Sequence, residues 1–434
     1  MLDINFIRDN RQRVTDAIKN KGYDLDLDAL LDLADERKAL SQKIDTLRQE
    51  RNQISAQMKN GKPEPSLVER GKALKTELSD LEARLSDVES RYLSSLKAIP
   101  NVYEDDVPVG LSEDDNEVAE VCGRLPKFDF EPKNHYEIGQ ARGWIDKERA
   151  SKVAGARFAY LKGDLVKLQM ALAQFVIDSL SDQAVIREII AKNKLNNVSD
   201  KAFVPVLPPL MLRTEMYDAM DRLEPRDDRY KIEGEELWLQ GSAEHVLGSM
   251  HQGETFVEDD LPLRYLGYAT SFRQEAGTYG KDMEGIIRMH QFDKLEMESF
   301  TTKEDGRQEH ELFVAIQRWL VEQLDLPYRV IRKCTFDIGK PDARGIDIEV
   351  WLPGQGKYRE THTADYMTDY QSRRLNTRVR RENGDLELVY TNDATAFALG
   401  RIMIGIIENN QTADQTVKIP EVLRKYINGK EFIK

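Results

Sequence analysis

Cysteine is almost missing from this chain: Cys122 and Cys334 are the only two in 434 residues. Their isolation excludes a disulfide framework or a cysteine-rich zinc site and fits a reducing compartment. Long apolar runs are also missing. No stretch approaches the ~18 uncharged apolar residues of a membrane span. The opening "MLDINFIRDNRQ" is charged from its third residue and lacks the apolar core of a signal peptide, so the expected location is cytoplasmic. There is no excess of positive charge. A net charge of −14 argues against DNA binding by bulk charge and leaves room only for a local basic surface. Two nucleotide-binding signatures fail as well. "TYGKD" around Gly280 and Lys281 resembles the end of a phosphate loop. That loop needs glycine where Glu275 stands and Ser or Thr where Asp282 stands. A dinucleotide fingerprint, internal repeats and low-complexity tracts are not found.

What is present is charge and a heptad pattern. Hydrophobic residues make up 40% and charged residues 32%, enough for a large core plus a long solvated element. Residues 1 to about 24 read as a short helix and connection. Leu33, Leu40, Ile44, Leu47, Ile54 and Met58 then step by threes and fours, as do Leu67, Leu74, Leu78, Leu81, Leu85, Val88 and Tyr92. This spacing predicts a coiled coil. "NGKPEPS" (Asn60 to Ser66) separates the two sets with helix-ending residues, so the helices should run antiparallel. At 1.5 Å per residue each spans about 45 Å, too long to fold onto a compact body, and the hairpin should project as an arm. From Leu33 to Ala98 there are 13 Lys/Arg against 11 Asp/Glu, a balance of +2 that leaves −16 for the remainder. A solvated coiled-coil face and a surface touching a polyanion both fit that balance.

"KAIPNVYEDDVPVG" (Lys97 to Gly110) reads as a linker into a second domain. Beyond it, "DLVKLQMALAQFVIDSL" (Asp164 to Leu180) has helical periodicity. "LRYLGYATSFRQ" (Leu263 to Gln274) and "IIRMHQFDKLEMESF" (Ile286 to Phe300) read as strands. Without a βαβ rhythm, the expectation is α+β: an antiparallel sheet flanked by helices. On the second strand Arg288, Phe292 and Glu296 have even spacing and should share a face, with Arg273 across the hairpin. Arginine binds phosphate bidentately, an aromatic ring can stack on a base, and a carboxylate can hold an amine. An exposed, salt-bridged hairpin fits the same residues. "KYRETHTADY" (Lys357 to Tyr366) places Glu360 near Thr363, oxygen ligands suited to magnesium. "TNDATAFALGRIMIGIIENNQ" (Thr391 to Gln411) carries Arg401 inside an apolar helix, where it needs a partner or a cavity, or else snorkels to the surface.

These pieces together resemble the seryl-tRNA synthetase family of class II aminoacyl-tRNA synthetases over essentially the whole chain. "MLDINFIRDN", the heptad hairpin, "AIPN", "ARFAYLKGDL", "FRQEAG" with "RMHQFDKLE", and "PEVLRKYI" match in order and spacing. The resemblance implies an N-terminal tRNA-binding domain (1–104) with a coiled-coil arm (about 27–98), followed by a class II catalytic domain (105–434), usually in a homodimer. "VPVLPPLML" (Val204 to Leu212) is similar to the proline-bearing first motif at the dimer interface. The activity implied is ATP-dependent loading of L-serine onto tRNA(Ser), which the arm would grip; loading of a selenocysteine tRNA is left open.

By the same resemblance, Arg273, Gln274, Glu275, Arg288, Phe292, Glu360, Thr361, His362, Thr363 and Arg401 would contact ATP, with Arg273 and Arg401 catalytic. Arg273 would reach the α-phosphate, Arg288 the outer phosphates and Arg401 the γ-phosphate, while Phe292 stacks on adenine. Glu360 and Thr363 would bind Mg²⁺. Serine would meet Ser242, Ala243, Glu244, Arg273, Glu296 and Thr395, and the loop from Thr278 to Gly285 would close over ATP or meet the tRNA end. His245, His251 and His290 read as structural, because the chemistry needs no histidine base. Three departures stand out. Ser242 replaces the usual threonine, "THTADY" replaces a Ser/Cys-rich run, and Asp393 stands where relatives often carry asparagine. Two other readings fit parts of the chain: an amino-acid-activating paralogue that loads a carrier protein, and a non-catalytic RNA-binding paralogue.

Overall fold

The computed structural model describes residues 1–58, 64–276 and 285–434. The chain divides into two compact units, Met1–Val102 and Tyr103–Lys434. Most of the turn expected after Asn60, and the loop from Thr278 up to Gly285, lie outside the described residues.

In the first unit the leading segment forms two helices rather than one, α1 (Ile4–Asp9) and α2 (Arg11–Asn20). The Asp3 carboxylate caps α1 by accepting from the Asn5 and Phe6 N–H groups, which have no partner inside the helix. The long helices are α3 (Leu27–Met58) and α4 (Pro65–Ala98). Pro65 and Ser66, expected in the turn, open α4 instead, because a proline at the first helical position sacrifices no hydrogen bond. The heptad residues meet in two clusters. Ile44, Leu47, Ile54, Leu74 and Leu78 form one, and Leu33, Leu40 and Val88 form the other. Ion pairs across the seam fix the direction: Arg37–Glu89 (3.2 Å), Lys43–Glu77 (3.2 Å), Arg48–Glu82 (2.8 Å) and Glu50–Arg70 (2.7 Å). They run from the base of α3 toward its tip as α4 runs back, so the helices are antiparallel. These pairs are solvent-exposed and contribute about 0–1 kcal/mol each; the leucine seam holds the hairpin together.

The second unit is built on eight strands. In chain order they are β1 (Glu117–Cys122), β2 (Val204–Val206), β3 (Leu263–Phe272), β4 (Gln291–Thr301), β5 (Tyr328–Arg332), β6 (Arg344–Leu352), β7 (Lys357–Thr368) and β8 (Tyr390–Ala398). In space they lie β1-β5-β6-β7-β8-β4-β3-β2. All neighbours pair antiparallel except β2 with β3. Three helices cover the apolar face: α5 (Asp164–Leu180), α6 (Gly306–Gln323) and α7 (Leu399–Asn409). Leu295 and Met297 of β4, Ala394 of β8, and Leu312, Phe313 and Ile316 of α6 share the resulting core. Because side chains alternate along a strand, the residues between Leu295 and Met297 point to the other face, where the polar chemistry collects.

A buried ion pair ties the sheet to its helix cover. Arg264 on β3 meets Glu309 on α6 through two hydrogen bonds of 2.6 and 2.7 Å, with both side chains almost wholly buried. Arg264 also donates to the Ser199 carbonyl at 2.9 Å. A buried charge left without its partner is costly. Glu309→Ala is therefore expected to lower stability by about 3–5 kcal/mol, read as a shift of the urea midpoint. A shift worth less than about 1 kcal/mol would show that the pair does not bind helix to sheet.

Candidate active site

The polar face is shaped by two bulges. On β7, Glu349 of β6 pairs with Glu360 while Ile348 pairs with His362, leaving Thr361 as the extra residue. On β8, Thr395 pairs with Glu296 while Phe397 pairs with Leu295, leaving Ala396 extra. An extra residue changes which side chains face which way. It brings Glu360 and Thr363, an odd number apart, to the same cavity.

That cavity, of about 230 Å³, is lined by Arg273, Glu275, Arg288, Phe292, Glu360, Thr361, Thr363, Thr395 and Arg401, together with Lys294. Arg273 follows the end of β3. Its Nε donates to the Gly241 carbonyl at 3.0 Å, and its guanidinium lies 5.4 Å from the centre of the Phe292 ring. Glu275 has a left-handed backbone, with φ of +54°, and its carboxylate accepts from Arg288. Arg401, near the start of α7, donates to the Glu360 carbonyl at 3.0 Å and to its carboxylate at 2.9 Å. The partner expected for Arg401 is therefore Glu360. At the loop's end Gly285 is required: its φ is +67°, and a Cβ there would lie 1.9 Å from His135 Nε2. His135 in turn contacts buried Glu408 at 2.9 Å.

Some expected positions fall elsewhere. Arg288 is not on the second strand, which begins at Gln291; it reaches the cavity from the segment just before. Gln274 is exposed and donates to the Arg229 carbonyl at 2.7 Å, because the chain has left the strand and turned outward. The His362 ring lies on the core side of β7, against Phe397, as strand alternation past the bulge requires. Ala243 is buried among Leu247 and Ala269 and offers no polar group.

Behind the cavity lies a second, buried layer. Lys294 donates to the Ser242 hydroxyl at 3.0 Å, pairs with the Glu296 carboxylate, and sits 3.6 Å from Glu244. Ser242 also donates to Glu244 at 2.6 Å. Nearby, Arg222 bridges Asp342 at 3.1 Å and Asp393 at 3.5 Å. Burial pushes Glu296 up to about 8, with Lys294 pulling down and Glu244 adding to the rise. Glu298 and Asp393 are also driven well above the usual carboxylate range, by burial first and by neighbouring acids second. In Glu244 burial is outweighed by Lys294, His245 and Arg222, and it stays well below that range.

Lys294, Arg222, Asp342 and Glu298 were not anticipated from the sequence. For Lys294 and Glu298 the signal was there: "FDKLEME" alternates, placing Phe292, Lys294, Glu296 and Glu298 on one face. Arg222 lies in "YDAMDRLEP", outside any regular element, and carries no periodic signal.

The comparisons with known proteins decide the family. Residues 1–103 match the model of the seryl-tRNA synthetase N-terminal domain, and residues 229–410 match the class II tRNA synthetase core domain for G, H, P, S and T. The chain belongs to the seryl-tRNA synthetase family. A serine–tRNA ligase of Deinococcus radiodurans is 38% identical over 100% of this chain and 99% of its own, and one of Borrelia recurrentis is 40% identical with the same coverage. Among solved structures, seryl-tRNA synthetase of Pyrococcus horikoshii complexed with ATP aligns with a TM-score of 0.88 at 34% identity, covering 100% of this chain and 99% of that one. The cytoplasmic serine–tRNA ligase of Naegleria fowleri in complex with AMP aligns at 0.85 and 27% identity, with the same coverage. The expected fold, an antiparallel helical hairpin followed by an antiparallel sheet with helices, is the fold observed.

Buried histidines, His245 and His362 among them, give this domain an acid-sensitive stability. Burial depresses His245 to about 4 and His362 to about 3, against weaker upward pulls from Glu244 and from the Ala396 backbone. In the unfolded chain a histidine takes its proton near pH 6.5. The contribution is thus complete above 6.5 and is lost as pH falls toward 4, because only the unfolded state binds the proton. The slope is about 1.4 kcal/mol per pH unit for each ring. His362→Gln is expected to remove one such share from the slope of unfolding free energy between pH 6.5 and 4. An unchanged slope would mean that the ring titrates normally in the fold.

Proposed function

We propose that this enzyme is a serine–tRNA ligase that forms seryl-adenylate in the cavity between β4, β7 and α7. One observation carries the reading: Arg273, Arg288 and Arg401 converge on a cavity whose wall includes Lys294, and Lys294 pairs with the carboxylates of Glu244 and Glu296 behind it, groups able to hold an ammonium. The ATP and AMP named for the two related structures support a nucleotide in this place.

The chemistry asks for alignment and charge neutralisation. The serine carboxylate is already ionised and attacks the α-phosphate in line, forming an O–P bond as pyrophosphate leaves, so no general base is needed. In this reading Arg273 neutralises the α-phosphate, Arg288 and Arg401 hold the outer phosphates, and Phe292 stacks on adenine on the ring face away from Arg273. Glu360 and Thr363 would hold Mg²⁺. The donor set fits, because buried Thr363 Oγ1 and Asp347 Oδ1 lack hydrogen-bond partners in this region and oxygen ligands suit the ion. Bound there, Mg²⁺ would screen phosphate charge. Glu244 and Glu296 would receive the serine ammonium and hydroxyl beside Ser242 and Thr395. The acyl group then passes to the terminal ribose of tRNA(Ser), whose body the α3–α4 hairpin grips by shape and backbone contacts.

The segment "VPVLPPLML" supports a homodimer. Val204, Leu207, Leu210 and Met211 are 56%, 81%, 39% and 45% exposed, an apolar surface of the kind that a two-fold partner covers. No helix among the described residues is long and apolar enough to cross a membrane.

Serine-dependent ATP–pyrophosphate exchange tests the reading. Arg273→Ala is expected to slow it by about 10²–10³-fold, and unimpaired exchange would remove Arg273 from the α-phosphate. Replacing residues 48–73 with a short Gly-Ser linker keeps the Leu47–Leu74 end of the seam. Exchange should survive that change while tRNA(Ser) charging collapses; undiminished charging would show that the hairpin does not grip tRNA.

A further inference from the structure

The buried layer behind Lys294 and Thr395 of the cavity holds more acid than serine needs. On the polar face, Glu296 of β4 stands opposite Thr395 of β8, and Glu298 stands opposite Asp393. These two pairs are neighbours along the strands, with Met297 and Ala394 between them facing the core. Three of the four side chains are therefore carboxylates. Carboxylate oxygens of Glu244, Glu296 and Asp393 lie within 4.8 Å of one another. Glu298 is 0% exposed, and neither of its oxygens has a hydrogen-bond partner. Like charges directly opposite on a sheet repel, and a buried carboxylate without a partner is costly. The cations on hand are shared out: Lys294 to Glu296, Glu244 and Ser242, and Arg222 to Asp342 at 3.1 Å and Asp393 at 3.5 Å, while neither pairs with Glu298.

We propose that the pocket also activates an amino acid with a second amine in place of the serine hydroxyl, namely L-2,3-diaminopropionate. The proposal rests on the reading of this site as an amino-acid-activating centre. The two substrates have the same shape and differ at one atom, the side-chain oxygen or nitrogen. Glu244 takes the α-ammonium of either. The side-chain end reaches the Glu296–Thr395 pair and the acids behind it, where a hydroxyl satisfies one acceptor and an ammonium can satisfy three. If the second amine arrives neutral, it takes the proton of a buried carboxyl group, Asp393 or Glu298. The O–H bond breaks, an N–H bond forms, and a neutral acid becomes half of an ion pair. An ammonium suits this place better than a divalent metal ion, because Lys294 is already bound to two of the same carboxylates and the ammonium adds half the positive charge beside it.

The test is ATP–pyrophosphate exchange by the full-length enzyme with L-serine, L-2,3-diaminopropionate and L-alanine, which lacks the polar atom. Serine and diaminopropionate are each expected to exceed alanine in kcat/KM by about 100-fold or more, as a site built for a polar group rejects the analogue without it. In Asp393→Asn and in Glu298→Gln, the ratio of diaminopropionate to serine kcat/KM should fall at least about 10-fold, the loss of one charge-assisted contact. Exchange with serine but not with diaminopropionate overturns the proposal and leaves the ligase reading standing. No exchange with any of the three overturns both. A ratio unchanged in both variants also overturns it, because these acids then do not read the second amine. The wild-type comparison decides by itself should either variant fail to fold.

Discussion

One ammonium group holds the polar half of the catalytic unit together. Lys294 projects from the middle of the sheet and ties Ser242, Glu244 and Glu296, which come from a loop, a one-turn helix and β4. Without that charge, Glu244 and Glu296, acids brought together by separate elements, would repel in a buried place. The core on the other face is made of interchangeable apolar contacts. This face depends on a few specific ones, so the chemistry is concentrated where the fold has least tolerance. Glu360 and Arg401 repeat the arrangement on a smaller scale at the mouth of the cavity, where an acid and a base from adjoining elements hold each other in place.

Much of this was legible in the sequence. The heptads gave the two long helices and their seam, since a 3.5-residue repeat has few other structural meanings. Asp164–Leu180 is helical over the range its periodicity indicated. The strand pair around Phe272 and Phe292 was also foreseen, but its second member begins at Gln291 rather than Ile286. An irregular segment from Gly285 to His290 precedes it, and the apolar Ile286 and Ile287 are buried there without being in a strand. Apolar residues mark burial more reliably than they mark extended backbone.

The cavity was less completely legible, and the reasons differ by residue. Arg273, Phe292 and Arg401 stood out as types whose placement is costly unless used. Gln274 and His362 came with motif neighbours that do line the cavity, although their own side chains turn elsewhere. Arg222 was invisible because it acts from irregular chain, and its partners Asp342 and Asp393 lie 120 or more positions away. No local pattern records such a meeting. The buried acids were visible as letters, but their unusual proton affinity comes first from burial and then from neighbouring acids, and neither is written in the local sequence.

The bulge at Thr361 has an evolutionary consequence. It works as a frame change in the alternation of β7: residues before it follow one parity of inside and outside, and those after it follow the other. A regular strand with the same residues, Thr361 included, would turn Glu360 toward the apolar core and away from Arg401. The lineage can therefore exchange side chains along this strand with some freedom, but it cannot easily change the number of residues on either side of the bulge. Insertions and deletions in β7 should be far rarer than in the surface turns, irrespective of which amino acid the enzyme selects.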